Sequence, residues 1–119
     1  MLGLEGAEYL DLLIDNLRRQ QNGPVRFDGE LGRIYANNQA ICVNEDTLLR
    51  QCIRIEKSGS LSTAVWKPWS LTASKMDDLG PEGWRDIVCV ESANLMENFV
   101  TVVLGAKHSM LVTHTAENS

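Results

Sequence analysis

The chain lacks the spacing that would mark a metal or redox site. Its three cysteines, Cys42, Cys52 and Cys89, are an odd set with no C-x-x-C pair. Each lies in an apolar, strand-like stretch, which reads as a buried free thiol in a reducing compartment. The two histidines, His108 and His114, share no ligand spacing with the cysteines. No zinc site is expected, and no cofactor. No window approaches the roughly 20 apolar residues of a membrane helix. The opening MLGLEGAEYL has neither the basic start nor the apolar core of a secretory signal. A soluble, cytoplasmic protein with no membrane contact is the expectation. Basic charge is in deficit too: 11 Lys and Arg stand against 16 Asp and Glu, a net charge of −5. A nucleic-acid partner would want a basic face and is not expected. A phosphorylated small molecule needs only a few local cations and stays open. Repeats, low-complexity tracts and linkers are also missing.

What is present suits one domain spanning residues 1–119. A chain of that length buries roughly two-thirds of its unfolded surface, enough for one modest core. Its 44% hydrophobic and 23% charged residues are ordinary globular values and exclude wholesale disorder.

From Ala7 to Gln21 the pattern is helical. Leu10, Leu13, Ile14 and Leu17 fall at i, i+3, i+4 and i+7 and share one face. Glu5 and Glu8 near the start and Arg18 and Arg19 near the end suit a helix dipole. Asp15 can pair with Arg19 one turn on. Asn22-Gly23-Pro24 is a stop. The spacing therefore predicts an amphipathic N-terminal helix over 7–21.

Beyond Pro24 the character changes to short strand-like runs between turn residues. Val25–Phe27, Arg33–Ala36, Gln39–Val43, Leu49–Lys57, Leu61–Lys67, Asp86–Glu91, Phe99–Leu104 and Met110–His114 read as strands. Asn37-Asn38 reads as a hairpin turn. Within Leu49–Lys57 the alternation sets Ile53, Ile55 and Lys57 on the more apolar face. Ser70–Leu79 reads as a helical turn capped by Ser70 or Thr72, and Ala116–Ser119 as a frayed tail. Ile87–Val90 is apolar on both alternating faces, so it is expected to be a central strand delivering Glu91 at its end. The sum, over 25–114, is an antiparallel sandwich.

Four groups follow one another along the chain. Gly3-Leu4-Glu5-Gly6 precedes Tyr9-Leu10-Asp11. Pro24-Val25-Arg26-Phe27 precedes Glu30 and Arg33-Ile34-Tyr35. Val65-Trp66-Lys67-Pro68-Trp69 precedes Met76-Asp77-Asp78. Val88-Cys89-Val90-Glu91 precedes Ala93-Asn94. In this order they resemble the C-terminal part of the D-hexose-6-phosphate mutarotases, the glucose-6-phosphate 1-epimerase branch of the aldose 1-epimerases. The resemblance implies a mainly β fold, part of the galactose-mutarotase supersandwich. It implies that Glu91 is a catalytic base which removes the proton of a sugar's C1 hydroxyl while an acid protonates the ring oxygen, with no metal. That acid is a histidine in a part of the family pattern with no counterpart here, and neither His108 nor His114 can take its role. Gly32 stands where the family reads an aspartate, and Lys67 where it reads an asparagine.

Other candidates each have two readings. Trp66, Trp69 and Trp84 suit either sugar stacking or the filling of a core. Arg18, Arg19, Arg26 and Arg33 suit a phosphate contact or a solvated face. Asp77-Asp78 suits a cation or a loop. Substrate-binding residues stay open. A sandwich of this size also leaves sheet edges and an apolar face uncovered, which favours a homodimer or a partner protein. Two functions follow: a truncated mutarotase relative that handles a phosphosugar through Glu91, or a non-catalytic β-sandwich module that dimerises or docks on a partner.

Overall fold

A computed structural model describes residues 1–36 and 39–118. Eight strands carry the fold: β1 (Glu8–Asp11), β2 (Leu17–Gln20), β3 (Leu31–Tyr35), β4 (Cys42–Asp46), β5 (Gln51–Ser58), β6 (Ser62–Lys67), β7 (Cys89–Ala93) and β8 (Leu111–Asn118). One short helix, α1 (Ser70–Ala73), follows β6. All pairings are antiparallel. They make a five-stranded sheet in the order β2-β1-β3-β6-β7 and a three-stranded sheet in the order β4-β5-β8.

The core forms where the two sheets meet. Tyr9, Leu31, Tyr35 and Val65 come from the large sheet, Cys42 and Ile55 from the small one, and Met1, Leu4 and Val25 close one end. Alternation assigns the faces: Ile53, Ile55 and Lys57 lie on the core side of β5, as the sequence pattern predicts. Lys57 spans the two sheets, its Nζ donating to the Ser62 carbonyl and to Thr63 Oγ1, each at 2.7 Å. Polar groups near β1 and β3 are satisfied within the core. Tyr35 Oη donates to Gln21 Oε1 at 2.6 Å, and Arg33 donates to the same oxygen at 2.9 Å.

Residues 7–21 are not a helix. They form the β1–β2 hairpin, with β1 also paired to β3. The reversal is a tight turn in which Leu17 N–H donates to the Ile14 carbonyl at 2.9 Å. It closes a five-residue loop, 12–16, between the paired Asp11 and Leu17, in which Ile14 N–H also donates to the Asp11 carbonyl at 3.2 Å. Asp15 and Asn16 have φ of 48° and 57°, a left-handed backbone that aspartate and asparagine tolerate. Asp11, not Asp15, pairs with Arg19, at 3.3 Å across the hairpin. Helical spacing alone is outweighed because β3 offers β1 a full ladder of backbone partners.

Further expectations are corrected, and Val25–Phe27, read as a strand, lies outside every strand. The strand expected over Asp86–Glu91 runs from Cys89 to Ala93, so Glu91 sits mid-strand, and β7 is an edge strand, not a central one. Its start is delayed because the Ile87 carbonyl accepts from Lys67 Nζ at 2.8 Å instead of entering a ladder. Phe99–Leu104 lies outside every strand and is exposed, with no neighbouring edge among the described residues to pair it. Residues 116–118, expected to fray, complete β8 against Gln51–Ile53. Asn37-Asn38, read as a hairpin turn, lies outside the described residues. In α1 the N-cap is Trp69, and Thr72 Oγ1 donates instead to Glu30 Oε1 at 2.5 Å.

Candidate functional site

Val90 packs on the core, so its neighbours Cys89 and Glu91 face the opposite, outer side of the large sheet. Register then defines the surroundings of Glu91. It pairs with Ala64, which pairs with Ile34, which pairs with Leu10, which pairs with Arg18. The adjacent row runs from Cys89 to Trp66 to Gly32. Glu91 therefore stands on the exposed edge strand beside Ala64, with Trp66 on the same sheet face. Gly32 is buried, and a Cβ there would meet the Leu12 and Leu13 side chains at 3.5 and 3.6 Å, so the β1–β2 loop covers that part of the face. Glu91 is exposed, and no hydrogen bond or ion pair holds its carboxylate among the described residues.

The strand that carries Glu91 is fixed at its far end. Asn94 Oδ1 accepts from Leu61 N–H at 2.9 Å, and its amide donates to the Gly59 carbonyl at 2.9 Å. Ser60 Oγ donates to the Ala93 carbonyl at 2.7 Å. Gly59 itself has φ of 74°, and a Cβ there would meet the Ser109 carbonyl oxygen at 2.1 Å, so the turn requires glycine. The Ala93-Asn94 pair thus has a mechanical role: it ties the end of β7 to the β5–β6 turn.

Neither histidine faces Glu91. His114 lies in register with Ile55, on the core side of the small sheet, with the large sheet between it and Glu91. His108 Nε2 is 2.9 Å from the Gly59 carbonyl oxygen and 3.3 Å from the Asn94 amide nitrogen, committed to the same turn.

The tryptophans divide. Trp66 shares the outer sheet face with Glu91. Trp69 and Trp84 make a tilted contact with ring centroids 4.5 Å apart, and the Arg85 guanidinium lies 4.4 Å from the Trp84 ring centroid. Beneath them Lys67 is buried, donating to the carbonyls of Trp84, Arg85 and Ile87. Burial pushes its ammonium pKa down, against an upward pull from Asp86. Lys67 is a clamp for the Gly83–Ile87 loop, a role the sequence did not suggest.

The arginines are largely occupied. Arg33 lies 4.6 Å over the Tyr9 ring and bonds Gln21, and Arg19 pairs with Asp11. Arg26 is exposed on a loop. Arg18 lies on the outer face at the far edge of the sheet, 3.7 Å from Glu97. A groove of about 370 Å³ there is lined by Glu5, Glu8, Glu97 and Arg18 among others, too acidic to favour phosphate. No group of three or more His, Cys, Asp or Glu among the described residues is arranged to hold a metal, and Asp77-Asp78 belongs to a turn.

No family model matches the chain. A curated protein of Cenchrus ciliaris named "Putative glucose-6-phosphate 1-epimerase" is 29% identical over 92 residues, covering 76% of this chain and 28% of that protein. One of the same name from Escherichia coli strain K12 is 29% identical over 76 residues, 64% of this chain and 26% of that protein. A crystal structure described as a "putative mutarotase (YeaD)" from Salmonella typhimurium superposes with a TM-score of 0.79 at 24% identity, over 98% of this chain and 39% of that one. The chain fits part of a hexose-6-phosphate mutarotase. Its antiparallel sheets are mutarotase-like in fold, and it spans between a quarter and a third of the length of the curated relatives. No helix among the described residues is long and apolar enough to cross a membrane.

Proposed function

We propose that this chain carries the base of a sugar-handling site and that Glu91 takes the C1 hydroxyl proton of a hexose phosphate in a reducing, cytoplasmic setting. The observation that carries the reading is the position of Glu91: an exposed carboxylate with no hydrogen-bond or ion-pair partner among the described residues, beside Ala64 and on the same sheet face as Trp66. An indole offers a sugar ring an apolar face. As Glu91 accepts the proton, the bond from C1 to the ring oxygen breaks and a carbonyl forms. The ring oxygen takes a proton from water or from a group outside this chain. On closure from the other carbonyl face, the ring-oxygen proton goes back to its donor and Glu91 returns its proton to the C1 oxygen, which yields the opposite anomer. The names of the relatives support glucose 6-phosphate as the first substrate to test.

A base acting alone contributes on the order of a hundredfold. Exchange NMR on glucose 6-phosphate should show the α and β anomers interconverting faster with the protein than in buffer, and Glu91→Gln should return the rate to that of buffer. Equal rates with and without protein would contradict the assignment.

A second reading, a non-catalytic β-sandwich module that docks on a partner or on its own copy, is favoured by one observation. Phe99, Val102, Val103 and Leu104 are all exposed in a single unpaired run.

A further inference from the structure

The edge of a sheet presents a row of unpaired backbone groups, and proteins blunt such edges with short strands, charge, proline or a covering segment. Three of the sheet edges among the described residues are blunted in this way. β2 is four residues long and carries Arg18 and Arg19. β4 carries Glu45 and Asp46, and Leu2 covers its free side, exchanging backbone hydrogen bonds with Val43 at 2.9 and 3.1 Å. β7 is five residues long with Glu91 at its centre.

β8 has none of these protections. It is eight residues long and contains no lysine, arginine or proline. Its register with β5 runs without a bulge from Ser58 opposite Leu111 to Gln51 opposite Asn118, and every residue of it except Val112 is exposed. Val112, His114 and Ala116 lie on the core side, where His114 and Ile53 line a wedge between the two sheets. Thr113, Thr115 and Glu117 lie on the outer side. The strand's one carboxylate is already offset, since Arg54 pairs with Glu117 at 3.2 Å.

We infer that β8 pairs with β8 of a second copy, antiparallel about a two-fold axis at Thr115, and joins two three-stranded sheets into one continuous sheet. This dimer is the docking reading made specific and rests on it, and it stands whether or not Glu91 is catalytic. The sequence of the strand selects a second copy as the occupant. Residues opposite one another in a pleated sheet share a face, so the axis passes through a residue position and not between two. An axis at Thr115 sets Thr115 against Thr115, Thr113 against Glu117, His114 against Ala116 and Val112 against Asn118. No like charges meet, two threonines face each other, and the Thr113 hydroxyl can donate to the facing carboxylate. An axis at His114 would instead oppose two imidazoles. The ladder over Val112–Asn118 supplies about six to eight main-chain hydrogen bonds, within the roughly 5–15 of a protein interface. The same pairing at the β7 edge would set Glu91 against Glu91.

Sedimentation equilibrium of the 119-residue chain should show a dimer that dissociates on dilution. Thr115→Lys and Thr115→Glu each place a charge against its own copy, so either alone should weaken association about fivefold or more, whatever its sign. An equimolar mixture of the two variants sets lysine against glutamate and should recover the association of the wild type. That recovery also excludes misfolding as the cause of the loss. Variants that associate as the wild type does, or a mixture no tighter than either variant alone, would overturn the inference. A dimer that survives both substitutions but is lost in Leu104→Arg would overturn the edge pairing while leaving the docking reading standing. A monomer at every concentration would overturn it as well, and leave only an unlike partner for docking.

Discussion

Cys42 shows how burial at one residue reaches the stability of the whole. It lies in the core between the sheets, and desolvation pushes its thiol pKa above the ordinary 9.0, against a downward pull from the Lys57 ammonium. The folded chain therefore holds this proton to a higher pH than the unfolded chain does. The stability linked to Cys42 is complete below pH 9.0 and is lost as pH rises through the higher, folded value. Cys42→Ala lacks this dependence. Urea unfolding at pH 8 and pH 10 should show the advantage of the wild type over Cys42→Ala shrinking at the higher pH; an unchanged difference would contradict the assignment. Lys57 and Lys67 carry a lesson about reading such residues from sequence. Alternation places Lys57 on the apolar face of its strand, yet its actual role, a strut between sheets, needs the second sheet to be visible. Lys67 reads as a departure from a family pattern, and only the loop folded back over it reveals three carbonyl partners.

The β1–β2 hairpin is the element where sequence and structure part most clearly. Its apolar residues at i, i+3, i+4 and i+7 suit a helix, but pairing with β3 supplies what no local pattern displays. The local signal that could have corrected the expectation is Asp15-Asn16, two adjacent residues that tolerate positive φ. Substitution there has opposite signs in the two conformations. Asn16→Gly relieves a left-handed residue in the hairpin and should stabilise the fold by about 0.5–1 kcal/mol. In a helix interior the same change would cost about 0.3 kcal/mol, since asparagine is already a poor helix former. Thermal or urea unfolding of the variant reads the sign directly, and a destabilised Asn16→Gly would contradict the hairpin. The alternation within β5 was legible because that strand has one clear core face. β7 was less so. Ile87 and Val88 share its apolar character yet belong to a loop, since the Ile87 carbonyl is spent on Lys67.

At the scale of the whole molecule, the mainly β antiparallel architecture was legible from the spacing of turns, and Val88-Cys89-Val90-Glu91 followed by Ala93-Asn94 singled out Glu91 as a candidate. Its surroundings were not legible. Glu91, Ala64 and Trp66 come to one face only through the register of β6 and β7, which no single stretch of sequence encodes. The division of the tryptophans, one on that face and two in tilted contact near Lys67, likewise depends on the fold.

The outer face around Glu91 is the part of the molecule most open to direct measurement. A backbone NMR titration with glucose 6-phosphate follows every strand at once. Shifts should concentrate at Cys89–Ala93, Ala64 and the Trp66 indole, and fade in Glu91→Gln. Shifts confined to the wedge around Ile53 and His114, or an undiminished response in Glu91→Gln, would contradict a sugar site on the outer face.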